Sequence, residues 1–310
     1  MNTQHFRYAL EVEKTGSITQ AAENLFMGQP NLSKAIKELE DTLGIVIFKR
    51  TPRGVVPTEK GRTFLRYAKS ILTQIDEMQS LNDENRSERK TFRLCVPRAS
   101  YCSLAAMRFM ASLDDSEALS VRFAETNSID GVNMVADGTF SMGIIRYQTT
   151  YETYFRDYFH DKGLAYETVW EYEKLIIMSR ENPLAAKEGK LTLSDFVGNI
   201  EISHGDCRVP YIQVPQSEDL IPTQKTVELY EGTNPFLMLS YMKHAYLWGS
   251  PMPKEYLDRY GLVQRRCEAT THRYKDVMLY RAGTHPGEWE QRYLDKLYEM
   301  KNSLAFAECR

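Results

Sequence analysis

The sequence predicts a protein in two parts. An all-α head built on a winged helix-turn-helix is joined by a long linker helix to an α/β body. Three observations carry this expectation. Residues 17–44 read as two helices split by a tight turn, the second starting on a polar, basic face. From Thr58 to about Ser87 the pattern stays helical, with no Pro and no Gly after Gly61. After residue 91, strand-like and helix-like segments alternate, as they do where helices cover a sheet. At 310 residues the chain is long enough for two domains with separate cores.

In the head, Ser17 with Gln20 three residues on makes a capping box, so a helix is expected from Ile18. Ile18, Ala21, Ala22 and Leu25 form its inward face at helical spacing, and the two alanines let a second helix cross closely. Gly28 can take the left-handed conformation that ends a helix and turns the chain. Pro30 suits the first position of the next helix, where a missing N–H costs nothing. Leu32, Ala35, Ile36, Leu39 and Leu43 make that helix's buried stripe, and Gly44 ends it. Gln29, Asn31, Ser33, Lys34 and Lys37 are left facing outward near its start. Such side chains read base edges and bind phosphates, on the half of a recognition helix that enters the major groove. The plain alternative is a two-helix corner of a bundle, but here turn chemistry and polar face agree. Residues 45–50 then alternate as a short strand, 51–54 read as a turn, and Val55-Val56 as a return strand. Lys49, Arg50 and Arg53 at the tip of this wing would sit over the DNA backbone or minor groove.

At these residues the chain resembles the LysR-type transcriptional regulators. The match runs from Phe6 through Ala21-Ala22, Gln29-Pro30, Leu32-Ser33, Ile36, Leu39-Glu40 and Leu43-Gly44. It continues through Phe48, Arg50, Pro57-Thr58 and Gly61, and the length and order of later elements suit the family. By position, the resemblance implies that Gln29, Pro30, Ser33 and Lys34 face the groove and that Arg53 is the wing contact. It implies double-stranded DNA, a small-molecule effector and further copies of the chain (a dimer, then a tetramer) as partners. RNA polymerase is a further implied partner if the protein activates. Lys34 stands where the family usually has Arg, and Lys lacks the planar two-pronged contact to guanine. Gly28 stands where a small hydroxyl residue is common, and Ser141 where an Asp usually opens the third strand of the body.

The head is read as residues 1–58 and the linker helix with its hinge as 59–90. Phe64, Ala68, Ile71, Ile75 and Met78 are spaced 4, 3, 4 and 3 apart, a heptad seam for a partner helix, widened by Leu65 and Leu72. A dimer seam suits a reader of two-fold DNA sites; packing of the helix on its own domain is the other reading. The polar run 82–90 reads as the hinge.

For residues 91–310 the resemblance implies a two-lobed, periplasmic-binding-protein-like effector domain. Lobe 1 is expected at 91–163 and 267–310, and lobe 2 at 164–266, with the effector in the cleft between them. Ligands of parallel sheets sit at the carboxyl ends of strands. The polar residues there are Ser100, Ser103, Thr126, Asn127, Ser128 and Arg146, and on the other lobe His204, Thr233 and Asn234. Helix-starting Ser, Thr and Asn welcome anions; plain capping is the better reading of any one of them alone, and their convergence is what points to a cleft site. Arg146 follows a strand and can pair with a carboxylate, which points to an anionic effector; a solvated strand-end Arg is the alternative. Tyr147, Tyr151, Tyr154, Phe155, Tyr158 and Phe159 are spaced for a helix with one aromatic face, serving as core, as an oligomer contact or as a cleft wall.

Composition narrows the function classes. Net charge is −3, yet residues 1–70 hold 11 Lys/Arg against 7 Asp/Glu, a net of +4 that leaves −7 for the rest. A positive head on a negative body suits a protein that meets DNA at one end. The chain has no Gly-x-Ser-x-Gly, no phosphate-cradling glycine loop and no His-Glu-x-x-His, and its six histidines are scattered. No enzyme, metal or cofactor is therefore expected. A plain solute-binding protein would need neither basic head nor heptad helix. The five cysteines include no Cys-x-x-Cys and read as reduced thiols. Some relatives sense peroxide through two cysteines, and the corresponding candidates here are Cys207 and Cys267. A redox-responsive regulator and an effector-independent DNA-binding protein are the alternatives to an effector-modulated one. No apolar run approaches the roughly 20 residues that span a bilayer, and the N-terminal residues lack a secretion signal, so a cytoplasmic protein with no membrane partner is expected.

Overall fold

Asn2 opens the first helix by accepting from the Gln4 amide, and Gly16, in the left-handed region, closes it. The computed structural model describes residues 2–52, 54–80, 90–114, 119–205, 225–230, 232–268 and 273–308. They form two units, one on residues 1–90 and one on residues 91–136 and 140–310. Arg53, Cys207, Cys309 and most of the expected hinge lie outside the described residues.

The head contains α1 (Thr3–Thr15), α2 (Ile18–Asn24), α3 (Gln29–Leu43), β1 (Phe48–Thr51), β2 (Gly54–Pro57) and α4 (Glu59–Ser80). Apolar residues recurring every three or four positions place Phe6, Ala9 and Val12 of α1 against Ala21 and Ala22 of α2 and Leu32, Ile36 and Leu39 of α3. Leu65, Ala68 and Leu72 of α4 complete the same core. β1 and β2 pair antiparallel, Phe48 opposite Pro57 and Thr51 opposite Gly54, and make the wing.

The second unit runs β3 (Lys90–Val96), α5 (Ser100–Ala111), β4 (Leu119–Glu125), α6 (Ser128–Ala136), β5 (Met142–Gln148), α7 (Glu152–Asp161) and β6 (Leu164–Glu173). Then come β7 (Leu175–Ser179), β8 (Ile200–His204), β9 (Lys225–Leu229), α8 (Pro235–Tyr241), β10 (Ala245–Gly249), α9 (Lys254–Tyr260), β11 (Leu262–Arg265), β12 (Arg273–Arg281) and α10 (Glu288–Glu308). Two five-stranded sheets result, ordered β4-β3-β5-β12-β6 and β11-β7-β10-β8-β9.

The sheets are mixed, where alternation of strand and helix points to parallel ones. β3 runs parallel to β5, and β8 to both β9 and β10. β12 is antiparallel to β5 and β6, and β7 to β10 and β11. The antiparallel strands are those that carry the chain between lobes. β6 passes to β7 through Lys174 alone, and β11 returns to β12.

This moves both expected lobe boundaries. Residues 164–173 belong to lobe 1, because β6 pairs with β12 from Leu164 to Glu173. Residues 267 and 268 stay in lobe 2, where Cys267 bridges to Leu191 and the Glu268 amide donates to the Leu191 carbonyl. The described residues of lobe 2 therefore begin at 174 and end at 268. The aromatic segment is core rather than cleft wall. Tyr147 lies one residue before the end of β5, and its ring stacks on Phe155 at 4.7 Å, while Phe155 and Phe159 of α7 are buried against β5 and β6.

Candidate nucleic-acid interface and inter-lobe cleft

The Ser17 hydroxyl accepts from the Gln20 amide and starts α2. Only half of the expected capping box forms, because the Gln20 side chain turns to Glu23 and Asn24 instead. The turn is made by Phe26 and not by Gly28. Phe26 has φ +52°, alone among the described non-glycine residues in being positive, and Gly28 has φ −70°. The Met27 amide donates to Ala22 and the Phe26 amide to Glu23, so the left-handed residue closes α2 just past its end. A side chain there costs about 1 kcal/mol or more relative to glycine. Gly28 serves as the entry to α3: its carbonyl accepts from Asn31 and Leu32, and Pro30 fills the first turn.

With Leu32, Ala35, Ile36 and Leu39 buried, the opposite face of α3 is fixed. Pro30, Asn31, Lys34 and Lys37 are exposed, and Gln29 and Ser33 half-buried. Lys34 is 77% exposed and reaches Glu38 at 3.8 Å, a solvated pair that constrains it weakly. The N-terminal amides of the helix add a positive end to this face.

Three contacts lock the wing to α3 and α4. The Glu40 carboxylate accepts from the amides of Ile47 (2.6 Å) and Phe48 (3.0 Å). The Thr58 hydroxyl donates to the Val46 carbonyl (2.6 Å) and accepts from the Gly61 amide (2.9 Å), which caps α4. A β-carbon on Gly61 would lie 2.0 Å from the Ile47 carbonyl oxygen, so only glycine admits this approach. Arg50 and Lys49 stand exposed on β1.

The expected seam on α4 is only partly free. Phe64 packs edge-on against Phe6 at 5.5 Å, and Ala68, with Leu65 and Leu72, is buried in the head's own core. Phe64 and Ala68 thus serve the head, because one helix here carries two apolar faces. Tyr67, Ile71 and Met78 are exposed and Ile75 is half-buried.

In the second unit, Arg146 is not a free anion receptor. Its Nε and Nη2 donate to the Asp276 carboxylate at 2.8 and 2.7 Å, a two-pronged pair directly across β5 and β12. Asp276 is fully buried and also accepts from the hydroxyls of Tyr101 and Tyr172. Burial opposes the charge on Arg146, but Asp276 and the tyrosines offset it and hold the guanidinium well above its ordinary pKa. Burial, then Asp276, pushes both tyrosines and the Cys102 thiol up, so Cys102 is no thiolate nucleophile. Cys95, Cys102 and Cys267 are buried thiols.

Two of the other cleft candidates cap helices, and the rest make local contacts or end elements. Asn127 accepts from the Asp130 amide at the start of α6, and Asn234 from Phe236 and Leu237 at the start of α8. Ser103 donates to Glu125, and the Thr126 amide to Val96. Thr233 donates to the Tyr230 carbonyl, Ser100 is buried in the first turn of α5, and His204 ends β8. Ser100, Ser103, Thr126 and Asn127 do gather at one end of the lobe 1 sheet. Lobe 2 reaches lobe 1 through Glu255, which bonds Arg108 at 3.2 Å, and Tyr256, whose hydroxyl meets the Met107 sulfur at 3.9 Å. Sequence reading missed Asp276, Tyr101 and Tyr172. An Asp set directly before the apolar run 277–280 was the available signal. Among the described residues, no cluster of His, Cys, Asp or Glu could hold a metal ion, and no helix is long and apolar enough to cross a membrane.

The chain thus joins a winged helix-turn-helix with a polar, basic helix face to a two-lobed α/β domain. Residues 3–62 match the family described as "Bacterial regulatory helix-turn-helix protein, lysR family". It is 30% identical over 190 residues to the probable RuBisCO transcriptional regulator of Thalassiosira pseudonana, covering 60% of this chain and 59% of that one. To the regulator BenM of Acinetobacter baylyi it is 38% identical over 94 residues, 30% of this chain and 31% of that protein. The matched stretches thus span three fifths or less of these relatives' length. Full-length CbnR in complex with its target DNA shares the fold at 16% identity, with TM-score 0.58 over 97% of this chain and 100% of that one. A full-length OxyR variant from Pseudomonas aeruginosa does so at 15% identity, with TM-score 0.54 over 97% and 94%.

Proposed function

We propose that this protein is a sequence-specific, DNA-binding transcription factor of LysR type and not an enzyme. The observation that carries the reading is the outer face of α3. Pro30, Asn31, Lys34 and Lys37 are exposed over a fully packed inner stripe, inside the segment that matches the family. In this reading Gln29, Pro30, Asn31, Ser33 and Lys34 enter the major groove, and Lys37, Arg50 and Arg53 bind phosphates. Two copies join through Tyr67, Ile71, Ile75 and Met78 of α4 and present two heads to a two-fold site. A small molecule bound between lobes 1 and 2 biases how the heads are presented. The Arg146–Asp276 pair removes the reason to name an anion as that molecule. RNA polymerase is the further partner if the protein activates.

DNase I footprinting of the DNA upstream of the protein's own gene, over a salt series, tests this. A two-fold protected site lost steeply as salt rises is expected. No protection at any salt, there or on genomic fragments, overturns the reading.

A further inference from the structure

We propose that Phe26 is a specificity-determining residue that reads a thymine methyl group at the edge of the major groove. The inference rests on the DNA-binding reading above and adds a contact that the polar face of α3 does not supply.

Two independent features single out Phe26. Its side chain is 98% exposed, the most exposed large hydrophobic among the described residues. Its backbone is left-handed, at φ +52°, where glycine or asparagine would be easier to hold. Neither feature serves the head's core. The flanking Leu25 and Met27 pack against that core, so the ring is not a core residue turned outward by a shift in register. The turn itself does not require a phenyl ring either, since its hydrogen bonds, Met27 to Ala22 and Phe26 to Glu23 at 3.0 Å each, are all backbone. Those bonds do fix the direction in which the ring leaves the chain. A conformationally costly residue that exposes its whole apolar side chain is the kind of outlier that marks a contact made with something else.

Position and chemistry say what that contact is. Phe26 lies three residues before Gln29, the first residue of α3, so it belongs to the turn that leads into the N-terminal end of the reading face. That face offers amides, a hydroxyl and ammonium groups, which suit base edges and phosphates. In the major groove the one apolar feature of the base pairs is the thymine C5-methyl. An exposed phenyl ring matches that feature, where a phosphate would call for a cation.

The test starts with the full-length wild-type chain and a random-sequence DNA pool, and carries forward an enriched duplex. Each thymine is then replaced singly by deoxyuridine, which deletes only the methyl group. Wild type is expected to bind about fourfold more weakly when one particular thymine per half-site is replaced, the worth of one buried methyl group. Phe26→Gly is expected to bind the unmodified duplex about tenfold more weakly and to ignore that replacement. Its salt dependence stays that of wild type, because the ring neutralises no phosphate. Phe26→Asn, which also tolerates the left-handed backbone, repeats the measurement should the glycine variant fold poorly; thermal unfolding midpoints at or above wild type are expected for both. Equal affinity of wild type and the ring-less variants overturns the proposal. So does a wild type indifferent to every deoxyuridine. A wild type that enriches no duplex at all overturns the DNA-binding reading itself, which separates the two failures.

Discussion

Arg146 and Asp276 face each other on adjacent strands, and the hydroxyls of Tyr101 and Tyr172 close around the carboxylate. The arginine is 15% exposed and the aspartate not at all, so the pair sits inside lobe 1 and shields itself from salt. Asp276→Ala leaves a largely buried guanidinium without its partner and is expected to cost about 3–5 kcal/mol. Urea unfolding followed by tryptophan fluorescence measures it. Replacing both residues by apolar ones of similar volume should cost far less, and an equal loss would show that the pair acts by packing rather than by charge. Glu201 of β8 gives a prediction of opposite kind. Burial raises its pKa, and the Tyr246 hydroxyl at 3.3 Å and Lys174 only partly counter this. A carboxyl with a raised folded-state pKa binds its proton more tightly in the folded chain than in the unfolded one. Its ionisation therefore weakens the fold, fully above the folded pKa and not at all below the unfolded pKa. Glu201→Gln is expected to raise the urea midpoint at pH 7 and to leave it unchanged near pH 3.5. A midpoint gain of equal size at both would reject the titration argument.

The helix α4 shows how far an element can be read from sequence and where the reading stops. Its start at Glu59 and its apolar spacing were legible, from the pattern that begins at Thr58 and the positions 64–78, while the expected continuation to about Ser87 lies outside the described residues. Which face meets which neighbour was not, because heptad spacing counts apolar positions without naming their partners. α1 takes Leu65, Ala68 and Leu72, leaving Tyr67, Ile71 and Met78 exposed. Ile71→Asp with Met78→Asp is accordingly expected to give monomers by light scattering, with the head still folded by circular dichroism. A dimeric mass would remove α4 as the seam. The left-handed turn after α2 was misplaced for a related reason: propensity named Gly28, while the hydrogen bonds from Phe26 and Met27 back to α2 put the positive φ at Phe26. Strand β6 is hard to read because residues 166–168 are all exposed and a bulge at Val169 follows them, which breaks the period-two pattern. Lys254–Tyr260 was missed as well, although Pro253 before it and Gly261 after it mark its ends.

At the scale of the whole chain, charge is divided by domain. Residues 1–70 carry +4 and the remainder −7, within a total of −3. If the protein binds DNA as proposed, this division favours the basic surface of the head over the negative body as the part that meets the polyanion. That surface is a small set of cations, of which Lys34, Lys37, Lys49 and Arg50 are exposed among the described residues. Each phosphate neutralised releases close to one counterion, so the slope of log affinity against log salt counts the contacts. Lys37→Ala and Arg50→Ala are each expected to make that slope shallower by about 2 in a dimer, one contact per head. The loss should be the same on specific and non-specific duplexes, because phosphates carry no sequence information. Fluorescence anisotropy across a salt series reads both quantities. A variant that loses affinity on the specific duplex alone would move that side chain from the phosphate backbone to the base edges. A slope unchanged in both variants would place the contact surface away from the outer face of α3 and the wing.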